Sequence, residues 1–231
     1  MERLLDIVRS RRPADGTFLV GITGGVAVGK STLTAELVAE ADQLVDGGSV
    51  AVLPSDSFLF GNAELERRGL TMEKGFPVSY DVESLRLALG ELAHGRGVAV
   101  PSYSHRTYDI DPLSEVAVGP ASLVLVEGLH LTRFAGDVLH VTVHLDADEG
   151  DVERWYVERF LALVEAARDD TDSFYRLFLG LDPAALEATA RQLWSTINLV
   201  NLREHISPWR DRADVVVTLG PDHEIVAVTE P

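Results

Sequence analysis

The segment Gly24–Thr32 constrains this chain most, because its sequence Gly-Gly-Val-Ala-Val-Gly-Lys-Ser-Thr fits the phosphate-binding pattern G-x-x-x-x-G-K-[ST]. Residues 17–23 before it are apolar and β-branched, as in a buried parallel strand, and Leu33 and Leu37 after it have helical spacing. The pattern therefore lies where a strand turns into a helix, so that backbone amides at the helix N-terminus face an anion. The predicted nucleotide-binding residues of this loop are Gly24, Gly25, Val26, Ala27, Val28, Gly29, Lys30, Ser31 and Thr32.

Lysine occurs at only two positions, Lys30 and Lys74, among 20 basic residues. In a phosphate loop, a compact ammonium on a flexible stem fits where a planar guanidinium does not. We therefore predict that Lys30 reaches the β- and γ-phosphates of a nucleotide and that the Ser31 hydroxyl ligates Mg²⁺. The alternative is that the placement of the two lysines has no special meaning.

The composition excludes several classes of function. The chain has 231 residues, 46% of them hydrophobic, which predicts one globular domain over residues 1–231. A formal net charge of −17 repels nucleic-acid backbones, so we expect no nucleic-acid partner. The absence of cysteine excludes disulfides, thiolate catalysis and cysteine-bound zinc, and it fits a cytoplasmic protein. No apolar run reaches the roughly 18 residues of a membrane span, so no membrane association is expected.

Strand-like and helical segments alternate along the chain. This alternation predicts an α/β fold of the P-loop NTPase type, a parallel sheet with helices on both faces. In such sheets ligands bind at the carboxyl ends of the strands, where the phosphate loop, Asp56 and Glu127 are all expected. The predicted strands are 17–23, 49–54, 97–100, 122–126, 139–145 and 213–219, and the predicted helices are 30–42, 62–68, 81–94, 149–168 and 183–205.

Two carboxylates at predicted strand ends are candidates for phosphoryl-transfer chemistry. Asp56 follows the strand at 49–54, where a carboxylate could accept the proton of an alcohol that attacks a γ-phosphate. A turn or helix-capping aspartate is the alternative. Glu127 follows the apolar strand at 122–126 and precedes a glycine, the usual position of a Mg²⁺-associated carboxylate in P-loop enzymes. A solvent-facing carboxylate at a strand end would have the same pattern.

Residues 149–180 are where a mobile helical lid is expected in a P-loop phosphotransferase. Arg159 in this segment is a candidate clamp for the transferred phosphate, and an ordinary surface arginine is equally consistent with the sequence. Residues 55–80 are long, polar and interrupted by glycines, which is typical of a substrate-side excursion.

Three further polar positions are candidates for binding a substrate. Tyr103 and His105 follow a short predicted strand, although a lone histidine is more often structural or exposed. Asn198 lies in an otherwise apolar helical stretch together with Asn201, and a buried asparagine needs hydrogen-bond partners. Either a ligand or the backbone could supply them.

The sequence resembles the bacterial type I pantothenate kinases, within the wider group that includes uridine kinases and phosphoribulokinases. The resemblance extends from about Gly21 to Val228. Its Lys-Gly-Phe-Pro-Val-Ser-Tyr-Asp and Tyr-Ser-His segments are much more specific than the phosphate loop. The matching segments are 26–32, 55–59, 66–70, 74–81, 103–105, 108–109, 126–129, 155–160, 197–198 and 201–202.

This resemblance implies an ATP- and Mg²⁺-dependent kinase of a small-molecule alcohol, most closely of pantothenate, in the first step of coenzyme A biosynthesis. Members of the family form homodimers, and coenzyme A inhibits them in competition with ATP. The implied catalytic residues are Asp56 as base, Lys30, Arg159 and Glu127, with Ser31 and Glu127 at the metal and His223 against adenine. The implied substrate-binding residues are Asp56, Lys74, Tyr103, His105, Tyr156 and Asn198.

Four positions depart from the family pattern. Ala35 stands where the family has an arginine linked to nucleotide and coenzyme A binding. Leu163 and Arg168 replace phenylalanines, and Phe174 replaces a tyrosine, among the aromatic residues that shape the acceptor pocket. A nucleoside or sugar-like alcohol is therefore the alternative acceptor, and a non-catalytic nucleotide-binding module is the third interpretation.

Overall fold

A central sheet organises the fold. The computed structural model describes the backbone of residues 1–231 and every side chain except that of Pro112. The strands are β1 (Phe18–Gly24), β2 (Val50–Pro54), β3 (Val98–Ser104), β4 (Asp109–Val118), β5 (Leu123–Gly128), β6 (Val141–Ala147), β7 (Val215–Leu219) and β8 (Ile225–Thr229). Six of them form the sheet in the order β2-β5-β1-β6-β7-β8. All neighbouring pairs in it are parallel except the last, in which β8 runs antiparallel to β7.

Helices cover both faces of the sheet, which confirms the predicted α/β class. Because successive side chains of a strand point to opposite faces, Val20 and Ile22 join the core under the helix that follows the phosphate loop, whereas Leu19 joins the core on the other face of the sheet. No helix among the described residues is both long and apolar enough to cross a membrane. The helices are α1 (Glu2–Ser10), α2 (Lys30–Ala39), α3 (Ala41–Val45), α4 (Asn62–Arg68), α5 (Val82–Ala93), α6 (Leu131–Ala135), α7 (Glu149–Ala166), α8 (Pro183–Leu193) and α9 (Leu199–Asn201).

The strand predicted at 97–100 was wrongly assigned to the parallel sheet. It belongs to β3, which pairs antiparallel with β4 in a separate two-stranded hairpin. β4 was not predicted, because Asp109, Asp111 and Glu115 interrupt its apolar residues and much of the strand faces solvent. The hairpin instead carries its turn, residues 105–108, toward the carboxyl ends of the sheet strands.

The helix predicted over 183–205 extends to Ile206 but is not a regular α-helix. After α8, the backbone forms a π-helical turn at Trp194–Asn198, then α9, then a second π-helical turn at Leu202–Ile206. Such turns change which side chains share a helix face, and they are frequent at functional sites. The predicted helix over 30–42 is likewise divided, since α2 ends at Ala39 and α3 follows.

Aspartate caps define where the helices around the site begin. Asp148 accepts a hydrogen bond from Gly150 N at 2.9 Å at the start of α7, and Asp182 accepts one from Ala185 N at 2.9 Å at the start of α8. Each cap satisfies a backbone amide that the helix itself leaves unpaired. The caps fix the starting points of α7 and α8, whose continuations carry residues of the site.

Candidate active site

A cavity of about 1320 Å³ lies at the carboxyl ends of β1, β2 and β5. Its walls come from the phosphate loop, the ends of these strands, the segment 55–80, the β3–β4 hairpin, α7, residues 174–178 and the helical segment 193–201. It brings together side chains that are far apart in the sequence. The predicted site residues that line it are Lys30, Ser31, Thr32, Asp56, Lys74, Tyr103, His105, Glu127, Tyr156, Arg159, Asn198 and His223.

Most of the phosphate loop lines this cavity, namely Val26, Ala27 and residues 29–32. Val28 does not, because its side chain is buried in the core with only 1% of its surface exposed. Gly24 and Gly25, which open the loop, are buried and do not line the cavity either. Of the nine predicted positions, six therefore line the cavity and three do not.

Glycine is required at two positions of the loop. Gly24 has φ +146°, and a Cβ there would lie 2.6 Å from the carbonyl oxygen of Leu145 on β6. Gly29 has φ +97° at the start of α2, a conformation that L-residues avoid. Ala27 adopts φ +63° as well, an uncommon value for a residue with a side chain. The loop therefore curls tightly between β1 and α2.

The ammonium of Lys30 folds back over its own loop. Its Nζ donates hydrogen bonds to the carbonyl oxygens of Gly25 at 2.6 Å and Gly24 at 3.2 Å. Burial lowers the pKa of Lys30 to about 8, although the nearby carboxylates of Asp56 and Glu127 raise it. An incoming anion would favour the charged form, so the site is prepared for phosphate rather than for a neutral ligand.

Glu127 lies beside the predicted metal-binding hydroxyl. Its Oε1 is 3.4 Å from Ser31 Oγ, and its Oε2 is 3.2 Å from Thr34 Oγ1. Thr34, a buried residue one helical turn after Lys30, was not predicted as a site residue from the sequence. The signal was its i+4 spacing from Lys30, which places it on the α2 face toward β5.

This donor set fits Mg²⁺. The described residues include no group of three or more His, Cys, Asp or Glu that could hold a metal by themselves. Mg²⁺ is usually held by one or two carboxylates with substrate phosphates and waters, rather than by an all-protein cage. One hydroxyl and one carboxylate next to a phosphate loop match that requirement.

Asp56 lies in a short 3₁₀ turn, Ser55–Phe58, that directly follows β2. The hydroxyl of Tyr80 donates a hydrogen bond to Asp56 Oδ1 at 3.3 Å. Burial raises the pKa of Tyr80 well above its usual range, so its phenol remains a donor. Tyr80 was not among the site residues predicted from the sequence, although this residue lies in the Lys-Gly-Phe-Pro-Val-Ser-Tyr-Asp segment.

A close backbone approach brings Asp56 toward Glu127. Gly128 ends β5, and a Cβ at that position would collide with the Oγ of Ser55. Because Ser55 is 1% exposed, its side chain has no space to retreat. The ends of β2 and β5 therefore touch. The carboxylates of Asp56 and Glu127, which are next to Ser55 and Gly128 in the chain, face the same cavity.

Tyr103, His105, Tyr156 and Asn198 form a wall that we call the acceptor side of the cavity. The rings of Tyr103 and His105 meet edge to face with centroids 5.1 Å apart. Burial raises the pKa of Tyr156 to about 12, and a hydrogen bond with Asn198 partly opposes this rise. Burial also lowers the pKa of His105, which favours its neutral form. The wall offers uncharged donors and acceptors among aromatic rings.

Lys74 has a different environment from Lys30. Its Nζ donates hydrogen bonds to Asn62 Oδ1 at 2.6 Å and to the carbonyl oxygen of Tyr108 at 2.5 Å. It also lies 4.5 Å from the centroid of the Tyr108 ring. Two of its three N–H groups therefore connect α4 to the hairpin, which gives Lys74 a structural task besides lining the cavity.

His223 and Trp155 define what we call the nucleotide side of the cavity, together with the phosphate loop. Their rings are stacked, with centroids 3.7 Å apart and an interplanar angle of 25°. His223 also approaches Gly29, where an added Cβ would lie 3.5 Å from the imidazole. Arg159, one turn along α7 from Trp155, has an exposed guanidinium at the cavity wall.

Comparisons with known proteins agree with this arrangement. The family model for the phosphoribulokinase / uridine kinase family matches residues 19–154. The pantothenate kinase of Streptococcus pneumoniae strain P1031 is 36% identical over 226 residues, which cover 95% of this chain and 74% of that protein. The chain therefore belongs to the phosphoribulokinase / uridine kinase family of P-loop kinases. Within that family it is similar to bacterial pantothenate kinases, which confirms the resemblance seen in the sequence.

Solved structures support the same fold. A proposed fructose transport system kinase from Silicibacter sp. TM1040 has a TM-score of 0.71 and 26% identity, covering 89% of this chain and 93% of that chain. Phosphoribulokinase from Rhodobacter spheroides has a TM-score of 0.54 at 12% identity, covering 92% of this chain and 75% of that chain. The protein is thus an ATP-dependent kinase that acts on a small molecule, and the interpretation as a non-catalytic module is set aside.

Proposed function

We propose that this kinase transfers the γ-phosphoryl group of ATP to the primary hydroxyl of pantothenate. The observation that carries the proposal is the convergence of the phosphate loop, Asp56 and the acceptor side on one cavity. Pockets for one small ligand are typically about 300–1,000 Å³. A volume of about 1320 Å³ is therefore large enough for a nucleotide and an acceptor side by side.

In this proposal Asp56 accepts the proton of the attacking hydroxyl, and Tyr80 holds the carboxylate in place. Lys30 and Arg159 offset the negative charge that spreads over the transferred phosphoryl oxygens. Ser31 and Glu127 would hold Mg²⁺, which neutralises phosphate charge when it is bound. His223 packs against the adenine ring. The protein contributes mainly alignment and charge compensation, since phosphoryl transfer needs little covalent help.

Two features support pantothenate as the acceptor. The first is the 36% identity to pantothenate kinases over 95% of the chain. The second is the character of the acceptor side, where Tyr103, His105, Tyr156 and Asn198 present hydrogen-bonding groups suited to a small polyfunctional alcohol. Lys74 lies in the same wall.

A coupled assay for ADP, run in parallel with mass spectrometry of the phosphorylated product, tests the proposal. Purified protein with ATP and Mg²⁺ is offered pantothenate, uridine, fructose and glycerate at equal concentrations. We expect the highest kcat/KM with pantothenate. Turnover of another alcohol with none of pantothenate would reject pantothenate and keep the kinase.

A sugar-like alcohol is the second candidate acceptor. It is favoured by the likeness to the proposed fructose transport system kinase, which extends over 89% of this chain. It is also favoured by Leu163 and Phe174 in the cavity wall, where the sequence departs from the pantothenate kinase pattern. The same acceptor panel decides between the two candidates.

We further propose that residues 1–231 act as one kinase domain with residues 149–180 as its lid, that the kinase is a homodimer, and that coenzyme A competes with ATP. Light scattering after size exclusion measures the dimer. Initial rates at several ATP concentrations measure the inhibition, which should raise the KM for ATP without changing kcat. A monomer, or rates unaffected by coenzyme A, would contradict the respective part.

A further inference from the structure

The turn of the β3–β4 hairpin meets the segment after α7 across the cavity. Arg106 makes a bidentate ion pair with Asp170, with Nε to Oδ2 at 2.6 Å and a terminal nitrogen to Oδ1 at 2.8 Å. The same terminal nitrogen lies 2.7 Å from Asp172 Oδ2. Bidentate geometry fixes both distance and orientation, so the two segments meet in a defined way.

Backbone and aromatic contacts reinforce this ion pair. Phe174 N donates a hydrogen bond to the carbonyl oxygen of Arg106 at 2.8 Å. The rings of Tyr108 and Phe174 are stacked with centroids 4.8 Å apart and an interplanar angle of 25°. Both rings line the cavity, so this is a part of its wall and not a remote surface contact. We call these five residues, Arg106, Tyr108, Asp170, Asp172 and Phe174, the roof contact.

The two sides of the roof contact are anchored differently. On the hairpin side, the carbonyl oxygen of Tyr108 accepts hydrogen bonds from Lys74 Nζ and from Asn62 Nδ2, and Asp109 Oδ1 accepts one from Asn62 N. These bonds hold Tyr108 at φ +53°. On the other side, the hydrogen bonds of Asp170 N and Ser173 N stay within residues 167–173. The following residues Tyr175 and Phe178 pack on Phe160 of α7, so residues 170–174 are held by α7 and not by the hairpin. We therefore infer that the roof contact opens by separation of these two parts.

The strength of the roof contact suits repeated opening. Arg106 is 54% exposed and Asp172 is 67% exposed, so water screens much of their attraction. One amide hydrogen bond and one aromatic stack add a modest amount. Such a contact favours closure without preventing release, as turnover of a covered site requires.

We propose that the roof contact decides whether an alcohol or water receives the phosphoryl group. This proposal depends on the kinase activity argued above. With the roof closed over a bound alcohol, the oxygen of the alcohol forms the new bond to the γ-phosphorus and the bond to the ADP oxygen breaks. The proton of the alcohol hydroxyl passes to Asp56. With the roof open, a water oxygen forms the bond to the γ-phosphorus instead, the same bond to the ADP oxygen breaks, and the water proton is released to solvent, so that inorganic phosphate and ADP form. Arg106 acts here as a positioning residue.

The ratio of ADP formed to alcohol phosphorylated measures this role, because a defect that merely lowered the amount of folded enzyme would leave the ratio unchanged. We expect Arg106→Ala to raise the ratio about five-fold and to raise the KM for the alcohol, with the KM for ATP unchanged. The matched control is Arg86→Ala. It removes a bidentate ion pair between α5 and Asp137, neither of which lines the cavity, and it should keep the wild-type ratio.

Two further measurements keep the proposal falsifiable. Phe174→Ala removes the aromatic stack without changing charge and should also raise the ratio. Raising NaCl to about 1 M should raise the ratio of the wild type more than that of Arg106→Ala, because salt screens the ion pair. An unchanged ratio in a folded Arg106→Ala protein, or an equal rise in Arg86→Ala, would overturn the proposal.

The design separates this proposal from the proposed function. If the wild type phosphorylates no alcohol of the panel, the proposed function fails. The rates of ATP hydrolysis by the wild type and by Arg106→Ala then still test the roof contact, since Arg106→Ala should hydrolyse ATP faster. Equal hydrolysis rates would count against the roof contact.

Discussion

The nucleotide side and the acceptor side of the cavity are built in different ways. The nucleotide side depends on nine consecutive residues, Gly24–Thr32, whose backbone forms the anion cradle. The acceptor side depends on single side chains from the hairpin, α7 and the π-helical turn at Trp194–Asn198. The first can be found by pattern matching, and the second exists only after the chain has folded.

The hydrogen bonds show the same contrast. Lys30 donates to carbonyl oxygens five and six residues away in its own loop. Asp56 instead depends on Tyr80, 24 residues away, and Asn201 donates to the carbonyl oxygen of Gly75 across 126 residues. A substitution on the acceptor side therefore has consequences that the local sequence does not reveal.

The largest effect is expected for Asp56, where the nucleotide side and the acceptor side of the cavity meet. Asp56→Asn removes the proton acceptor and should lower kcat by about 10²- to 10⁴-fold, with the KM for ATP largely kept. Steady-state kinetics with the best acceptor measure both values. Asp42→Asn, an exposed position in α3, is the control and should behave as the wild type. Near-normal turnover of Asp56→Asn would remove Asp56 from its catalytic role.

A smaller effect is expected at Thr34, which contacts the predicted metal-binding residue Glu127. Thr34→Val keeps the shape of the side chain but removes the hydroxyl 3.2 Å from Glu127 Oε2. We expect the Mg²⁺ concentration for half-maximal rate to rise about 10-fold, with kcat nearly restored at saturating Mg²⁺. Ser31→Ala should not be restored in this way, because Ser31 is proposed to contact the metal directly. Identical Mg²⁺ titrations for Thr34→Val and the wild type would contradict the assignment.

A milder effect is expected at Tyr80, whose hydroxyl contacts the carboxylate of Asp56. Tyr80→Phe removes the hydroxyl 3.3 Å from Asp56 Oδ1 while keeping the ring packed against His130 and Phe134. At 3.3 Å this bond from a phenol to a carboxylate is long and therefore weak for its type, which predicts a fall in kcat/KM of roughly 3- to 10-fold. Thermal melting should show a folded protein. Wild-type kcat/KM in this variant would mean that Asp56 is held by other contacts.

The smallest effect at neutral pH concerns stability. Burial lowers the pKa of His130 and of His144 to about 4. Between that value and about 6.5 the unfolded chain binds more protons than the folded one, so the free energy of unfolding rises with pH through this window. Above it the contribution is complete, and it is lost as the pH falls toward 4. The loss amounts to on the order of 3 kcal/mol for each histidine at pH 4.

Urea unfolding at pH 7, 6, 5 and 4.5 measures this slope. His130 lies behind the cavity wall, where it hydrogen-bonds with the carbonyl oxygen of Gly75. His144 lies in β6 beside β1. Comparing His130→Gln with His144→Gln therefore compares the two regions, and each variant should flatten the slope. A wild-type slope in both buried variants would refute the assignment.

The sequence predicted much of the fold but not its accessory parts. The buried strands β1, β5 and β6 have apolar runs that leave little choice, and α4 was predicted with its observed bounds. β4 was missed because a hairpin with one exposed face has a weak apolar pattern. β8 was missed although Ile225–Thr229 is apolar, and its antiparallel pairing with β7 is a matter of topology.

The candidate site was predictable wherever one residue type in a local pattern suffices, as for Lys30, Ser31 and Asp56. Tyr80 and Thr34 were missed because their importance comes from a neighbour that the fold supplies. Arg106 was missed for the same reason, since its partners are 64 and 66 residues further along the chain. The π-helical turns that place Asn198 and Asn201 have no recognised sequence signal.

The confinement of lysine to the cavity wall has a practical consequence. An amine-acylating reagent has only two side-chain targets in this protein, and both line the cavity. Peptide mapping after brief acylation, which separates the two lysines from the N-terminal amine, would therefore report whether a ligand covers Lys30 or Lys74. The chain is thus equipped for a label-based readout of occupancy that needs no engineered tag.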